Sequence, residues 1–211
     1  MNPKQAPLLA DVAGYYAGKL AEHGQTPRGV DWNGPEGQEL RFRQLCRLLP
    51  DGEPLSVNDL GCGYGALFEY LAARHPGLTY TGWDISPEMV SAARARFAQA
   101  GNARFEVASA PQASADYGFA SGIFNVKLET PADSWRAYVN DTLDALDRTS
   151  RLGFAFNSLT SYSDADRMRP HLFYPDPCEL FDFCKRRYAR NVALLHDYDL
   201  YEFTILVRKN A

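Results

Sequence analysis

Residues 58–65, N-D-L-G-C-G-Y-G, constrain the fold more than any other part of this chain. They follow a β-rich run at 56–60 and lead into a helical pattern starting near Ala66, so they read as strand, glycine turn and helix. Glycines at 61, 63 and 65 permit a tight turn and let a ligand approach the backbone without meeting a Cβ. The fingerprint for a pyrophosphate is G-x-G-x-x-G. Here the third glycine comes one residue early, and an acid, Asp59, stands two residues before the first. That spacing suits a cation-bearing adenosine better than a diphosphate. Asp84 closes the next β-rich run, 79–85, where a carboxylate can accept both hydroxyls of a ribose. Ile85 and Met89 are then placed to pack on the two sides of an adenine, with Pro87 opening the following helix.

Around this motif, short β-rich runs alternate with helical patterns, which predicts an α/β domain with a mostly parallel sheet. Strands are predicted at 56–60, 79–85, 103–108, 117–123, 151–157, 192–198 and 202–208. Helices are predicted at 66–75, 87–100, 134–149 (with Ser134 as N-cap) and 177–188. Only Asp199, Leu200 and Tyr201 separate the last two strands, too few for a crossover helix, so they should form an antiparallel hairpin at a sheet edge. Upstream, apolar residues recur at helical spacing over 8–23 and 36–49, with a Gly/Pro-rich loop between them that holds Trp32. The expected division is a helical extension or lid over 1–50 and a Rossmann-like domain over 51–211.

Composition narrows the function. Apolar residues at 45% and charged residues at 23% are enough for a sizeable core and exclude a chain disordered throughout. Lys and Arg total 22 against 26 acids, a net charge of -4 that gives no field for nucleic acid or an anionic membrane. No apolar run approaches the roughly 18 residues that span a bilayer. Residues 1–10 carry Pro3 and Pro7 but no signal-peptide pattern, so the expected location is cytoplasmic. Cys46, Cys62, Cys178 and Cys184 form no C-x-x-C pair, and the four histidines are dispersed, so free thiols and no metal site are expected.

From residue 57 to about 208, the D-L-G-C-G-Y-G turn, the W-D-I-S-P-E-M-V segment and the closing hairpin resemble the class I S-adenosylmethionine-dependent methyltransferases. The resemblance implies a seven-stranded Rossmann-like sheet with one antiparallel strand, S-adenosylmethionine as cofactor and S-adenosylhomocysteine as product. It puts Asp59, Gly61, Cys62 and Gly63 beneath the methionine part and the sulfonium, and Asp84 on the ribose. Ser109 and Ala110 would lie beside the adenine, and Ala120 and Ser121 at the edge of the methionine moiety. Where many members have an acid near Ser109, this chain reads V-A-S-A. At the end of the fourth strand, members that methylate planar nitrogens commonly carry N-P-P-Y. This chain has A-S-G-I-F-N, which points away from nucleic-acid bases and toward a small-molecule acceptor, methylated at oxygen or an amine.

The acceptor is expected between the N-terminal helices and a polar, aromatic loop at 160–177. Tyr16, Trp32, Tyr162, Arg167, His171 and Tyr174 are its candidate contacts, and no catalytic residue is assigned beyond His171 as a weak candidate for a base. Tyr16 reads more readily as core packing of the first helix, and Trp32 reads also as the anchor of a lid. Arg41 reads as a solvated helix face or as a partner for the cofactor carboxylate, and Asn125 and Lys127 stand as second-tier candidates. Rival readings are a protein or RNA acceptor, a degenerate cofactor-binding module without turnover, and a nicotinamide-dependent oxidoreductase, the last disfavoured by the glycine spacing. Oligomeric state is left open.

Overall fold

The computed structural model describes residues 6–209; Pro3 and the rest of residues 1–5, with 210 and 211, lie outside it. Helices α1 (Ala6–His23) and α2 (Pro35–Leu45) come first, joined through a 3-10 turn at Pro27–Val30. The α/β part then runs β1 (Leu55–Leu60), α3 (Ala66–Ala72), β2 (Leu78–Asp84), α4 (Pro87–Arg96), β3 (Ala103–Val107), β4 (Ala115–Ala120), α5 (Ala132–Thr149), β5 (Ser150–Leu159), α6 (Pro177–Arg187), β6 (Asn191–Leu195) and β7 (Glu202–Arg208).

One seven-stranded sheet results, in the order β3-β2-β1-β4-β5-β7-β6. β7 runs antiparallel to both β5 and β6, and the pairings among β1 to β5 are parallel. The Rossmann-like sheet with one antiparallel strand is therefore present. β1 pairs with β2 on one side and β4 on the other, so the chain reverses its direction of travel across the sheet there and opens a crevice beyond the strand ends.

Both faces of the sheet are covered, as a mostly parallel sheet requires. On one, α5 buries Trp135, Tyr138, Val139, Leu143 and Leu146 at helical spacing, together with Leu9 and Val12 of α1 and Leu180 of α6. On the other, Phe42 and Leu45 of α2, Leu67, Phe68 and Leu71 of α3, and Val90 and Ala93 of α4 pack on Val57, Tyr80 and Phe119. No helix among the described residues is long and apolar enough to cross a membrane.

Differences from the sequence expectation sit at element ends. α5 starts at Ala132 behind Pro131, two residues before the Ser134 expected to cap it, and no side chain caps it. The Pro131 carbonyl already accepts from the Trp135 amide at 3.0 Å, so the turn is closed before Ser134 is reached. β4 stops at Ala120 instead of continuing to Ile123, because Gly122 turns the chain with φ 76°. β6 ends at Leu195, which lengthens the hairpin connection to His196 through Tyr201.

Leu143 is fully buried in the α5 layer. Leu143→Ala should lower unfolding stability in urea by about 2–5 kcal/mol, the usual cost of a lost buried leucine plus its cavity.

Candidate active site

At the crevice lies a cavity of about 880 Å³, measured to its open mouth. Its floor is the glycine turn after β1. Gly61 (φ 76°) donates its amide to the Trp83 carbonyl at 2.7 Å, and a Cβ at this position would stand 2.0 Å from Ile123 Cγ2. Gly63 (φ 54°) donates to Asp84 Oδ2 at 2.8 Å. Both positions combine a left-handed backbone with close neighbours, which only glycine meets without strain.

Asp84 binds the two turns together. Its Oδ1 accepts from the Ser86 amide at 2.9 Å, and the Ser86 hydroxyl caps α4 by accepting from the Met89 amide at 3.2 Å. Burial raises the carboxyl of Asp84, and the amides of Ser86 and Gly63 pull it back. Asp59 is more exceptional. Its Oδ2 accepts from the Tyr80 hydroxyl, while Oδ1 is buried with no hydrogen-bond partner, and the residue lines the cavity. Burial pushes its carboxyl up to about 7, with the Tyr80 hydrogen bond opposing and the Asp84 charge adding.

Most residues expected to hold the cofactor line this cavity: Asp59, Gly61, Cys62 and Gly63 in the floor, Asp84, Ile85 and Met89 along β2 and α4, and Ser109 and Ser121 after β3 and β4. Ser121 Oγ is buried there without a partner. Ala110 and Ala120 are not in the wall. Ala120 is wholly buried in the core at the last position of β4, and the turn after it carries Ser121, Gly122 and Ile123 to the cavity.

Of the acceptor candidates, Tyr16 and Trp32 reach the cavity. Tyr16 also packs against the core, and burial raises its hydroxyl far above the usual tyrosine range. The turn before Trp32 is fastened to α1: Asp31 accepts from Tyr15 Oη at 2.7 Å and pairs with Lys19 at 2.9 Å. Tyr162, Arg167, His171 and Tyr174 do not line the cavity. Tyr162 is 65% exposed, Arg167 faces solvent near Asp166, and the Tyr174 hydroxyl accepts from the Arg169 amide at 3.0 Å. His171 contributes its carbonyl to the amides of Lys127 and Leu128, both at 3.0 Å. Leu172 bridges to Val126, and Phe173 enters the core while its amide bonds Asn125. The bridge at Leu172 and the burial of Phe173 stitch the loop to 125–128.

Asn125 and Lys127 are structural in this arrangement. Asn125 Oδ1 accepts from the Leu159 amide at 3.0 Å, and Lys127 Nζ donates to the carbonyls of Leu128 and Thr130. Arg41 departs from both of its readings. It is 8% exposed and donates through Nε (2.8 Å) and Nη2 (2.6 Å) to the two carboxylate oxygens of Glu202. Its guanidinium also lies 3.8 Å from the centroid of Trp32. Val12, Val30, Phe42 and Tyr138 also line the wall without having been singled out. Tyr138 was legible only as part of the apolar face of α5.

A family model described as a methyltransferase domain matches residues 57–148. A protein named as a methyltransferase, Rv1506c of Mycobacterium tuberculosis (strain ATCC 25618 / H37Rv), is 59% identical over 163 residues, covering 77% of this chain and 98% of its own. Trans-aconitate 2-methyltransferase of Rhizobium meliloti (strain 1021) is 37% identical over 83 residues, 39% of this chain and 32% of that one. The solved structure of DhpI with SAH superimposes with a TM-score of 0.64 at 16% identity, covering 95% of this chain and 96% of that one, which is a likeness of fold. The matched segment 57–148 holds the glycine turn, Asp84 and the β4 turn around which the cavity is built. With a relative this similar along nearly its whole length, the chain belongs to the class I S-adenosylmethionine-dependent methyltransferases.

Proposed function

We propose that this cavity holds S-adenosylmethionine and that the chain transfers its methyl group to a small-molecule acceptor, at oxygen or an amine, by in-line displacement. The observation that carries the reading is Asp59, a residue lining the cavity whose Oδ1 is buried without a hydrogen-bond partner. Such an atom costs free energy until a donor or a cation meets it. The cationic methionine end of the cofactor has the chemistry to do so. The cradle of Gly61 and Gly63 and the carboxylate of Asp84, which keeps lone pairs beyond its two amide bonds, fit the rest of the same molecule.

When bound, the cofactor supplies an electrophilic methyl group on a sulfonium. The chain contributes binding, alignment and exclusion of water, which can supply much of the acceleration of a displacement that needs no obligatory acid or base. Asp84 receives the ribose hydroxyls, Ile85 and Met89 flank the adenine, and Ser109 stands at its edge. Tyr16, Trp32 and Tyr138 wall the acceptor side. The aromatic and apolar side chains of Tyr16, Trp32, Val30 and Tyr138 in the cavity wall support a small acceptor over a protein or RNA. The relatives named trans-aconitate 2-methyltransferase support the same class.

Calorimetric titration with S-adenosylmethionine and S-adenosylhomocysteine, with a reduced nicotinamide dinucleotide as control, tests the reading. Binding of the first two alone is expected, followed by transfer of labelled methyl to a small acceptor; binding of neither refutes it. Asp84→Ala should weaken S-adenosylhomocysteine binding at least about tenfold, or about 1.4 kcal/mol.

The raised carboxyl of Asp59 adds a pH dependence. Folding lifts it from 3.8 to about 7, so the ligand-free chain binds the extra proton and loses stability as pH rises across that window. A cationic ligand favours the ionised form. Affinity for S-adenosylmethionine, which carries a net positive charge, should therefore increase as pH rises through about 7 and level off above it, and Asp59→Asn should flatten the profile.

A further inference from the structure

A closed ring of contacts joins the N-terminal segment to the strand ends on the acceptor side of the cavity. Glu202, the first residue of β7, is 2% exposed and accepts from Arg41 through both carboxylate oxygens. Its Oε2 also accepts from Asn157 Nδ2 at 2.7 Å, and Asn157 Oδ1 accepts from the Gly122 amide at 2.9 Å. Arg41 covers one face of Trp32 at 3.8 Å. The ring closes where the indole meets Gly122: a Cβ there would stand 2.5 Å from Trp32 Cζ2. Trp32 and Gly122 both line the cavity, whereas Glu202, Arg41 and Asn157 stand behind it.

We infer that Glu202 is a positioning residue, which holds Trp32 against Gly122 through Arg41 and so sets the wall of the cavity beside the end of β4. Two features support this over a purely structural ion pair. A bidentate arginine–carboxylate pair fixes the plane of the guanidinium as well as its place, and that plane is the surface on which the indole lies. The same carboxylate orients Asn157, whose other end holds the amide of the residue Trp32 touches. One side chain thus sets both sides of the Trp32–Gly122 contact. The consequence for ligand binding rests on the cofactor reading of the cavity; the position of Trp32 does not.

The test uses the full chain and two readouts. Its three tryptophans are Trp32, Trp83 and Trp135, and the last two are 5% and 0% exposed, so acrylamide quenching of fluorescence reports chiefly on Trp32. Glu202→Gln, with the circular dichroism of the folded chain retained, should increase quenching and weaken S-adenosylhomocysteine binding by about fivefold or more, a loss within the range for coupled neighbours. In a Trp32→Leu background the same change should cost no further affinity, since it acts through the indole. Additive losses, or unchanged quenching in folded Glu202→Gln, overturn the inference. Removing one partner of a buried pair strands the other charge. Should the single variant not fold, Arg41→Gln with Glu202→Gln is read by the same criteria. Failure of the unaltered chain to bind S-adenosylhomocysteine would refute the cofactor reading and leave the quenching result to decide the role of Glu202.

Discussion

The buried carboxylate of Asp84 is the interaction on which the rest of the site depends. A carboxylate taken out of water needs donors, and here they are the backbone amides of Gly63 and Ser86, one from each of two successive strand-to-helix turns. The first amide is available only because the glycine turn adopts left-handed conformations at Gly61 and Gly63. The second belongs to the N-cap of α4. Floor and side wall of the cavity are in this way tied to one group, at the point where β1 and β2 end side by side.

The second half of the cavity is built from outside the α/β unit. α1 contributes Val12 and Tyr16, the 3-10 turn contributes Val30, and Trp32 follows it. Tyr15 and Lys19 secure that turn through Asp31, and Arg41 secures Trp32 from behind. This covering suits methyl transfer, in which an enclosed and ordered site keeps water away and holds acceptor and donor in line. The α/β unit supplies the glycine turn and Asp84, and the N-terminal segment supplies the facing wall of the cavity.

Legibility in the sequence followed the range of the interactions. Strand and helix types were readable because they arise from local periodicity, and their ends were less so. Pro131 rather than Ser134 precedes α5, and the fourth strand ends at Ala120, ahead of the turn at Gly122, rather than at Ile123. The seat of the 160–177 loop was not legible for a related reason. Its Tyr, Arg and His residues suggest an acceptor surface, but the bridge from Leu172 to Val126 and the burial of Phe173 decide how the segment is seated. Arg41 and Glu202 lie 161 residues apart, and nothing local marks a glutamate at a strand start as the buried partner of a helical arginine.

By itself the sequence determined the strand, glycine turn and helix, the acids at 59 and 84, and with them the α/β class and the nature of the ligand. Each of these follows from spacing within a few residues or from one strand to the next, where backbone geometry leaves little choice. Only the tertiary structure decided that Trp32 and Tyr16 face the cavity, that the 160–177 loop is seated against 125–128, and that Glu202 stands behind Arg41. Those outcomes depend on which apolar surfaces are buried together and which buried charges must then find partners across the fold, and neither is set until distant segments meet.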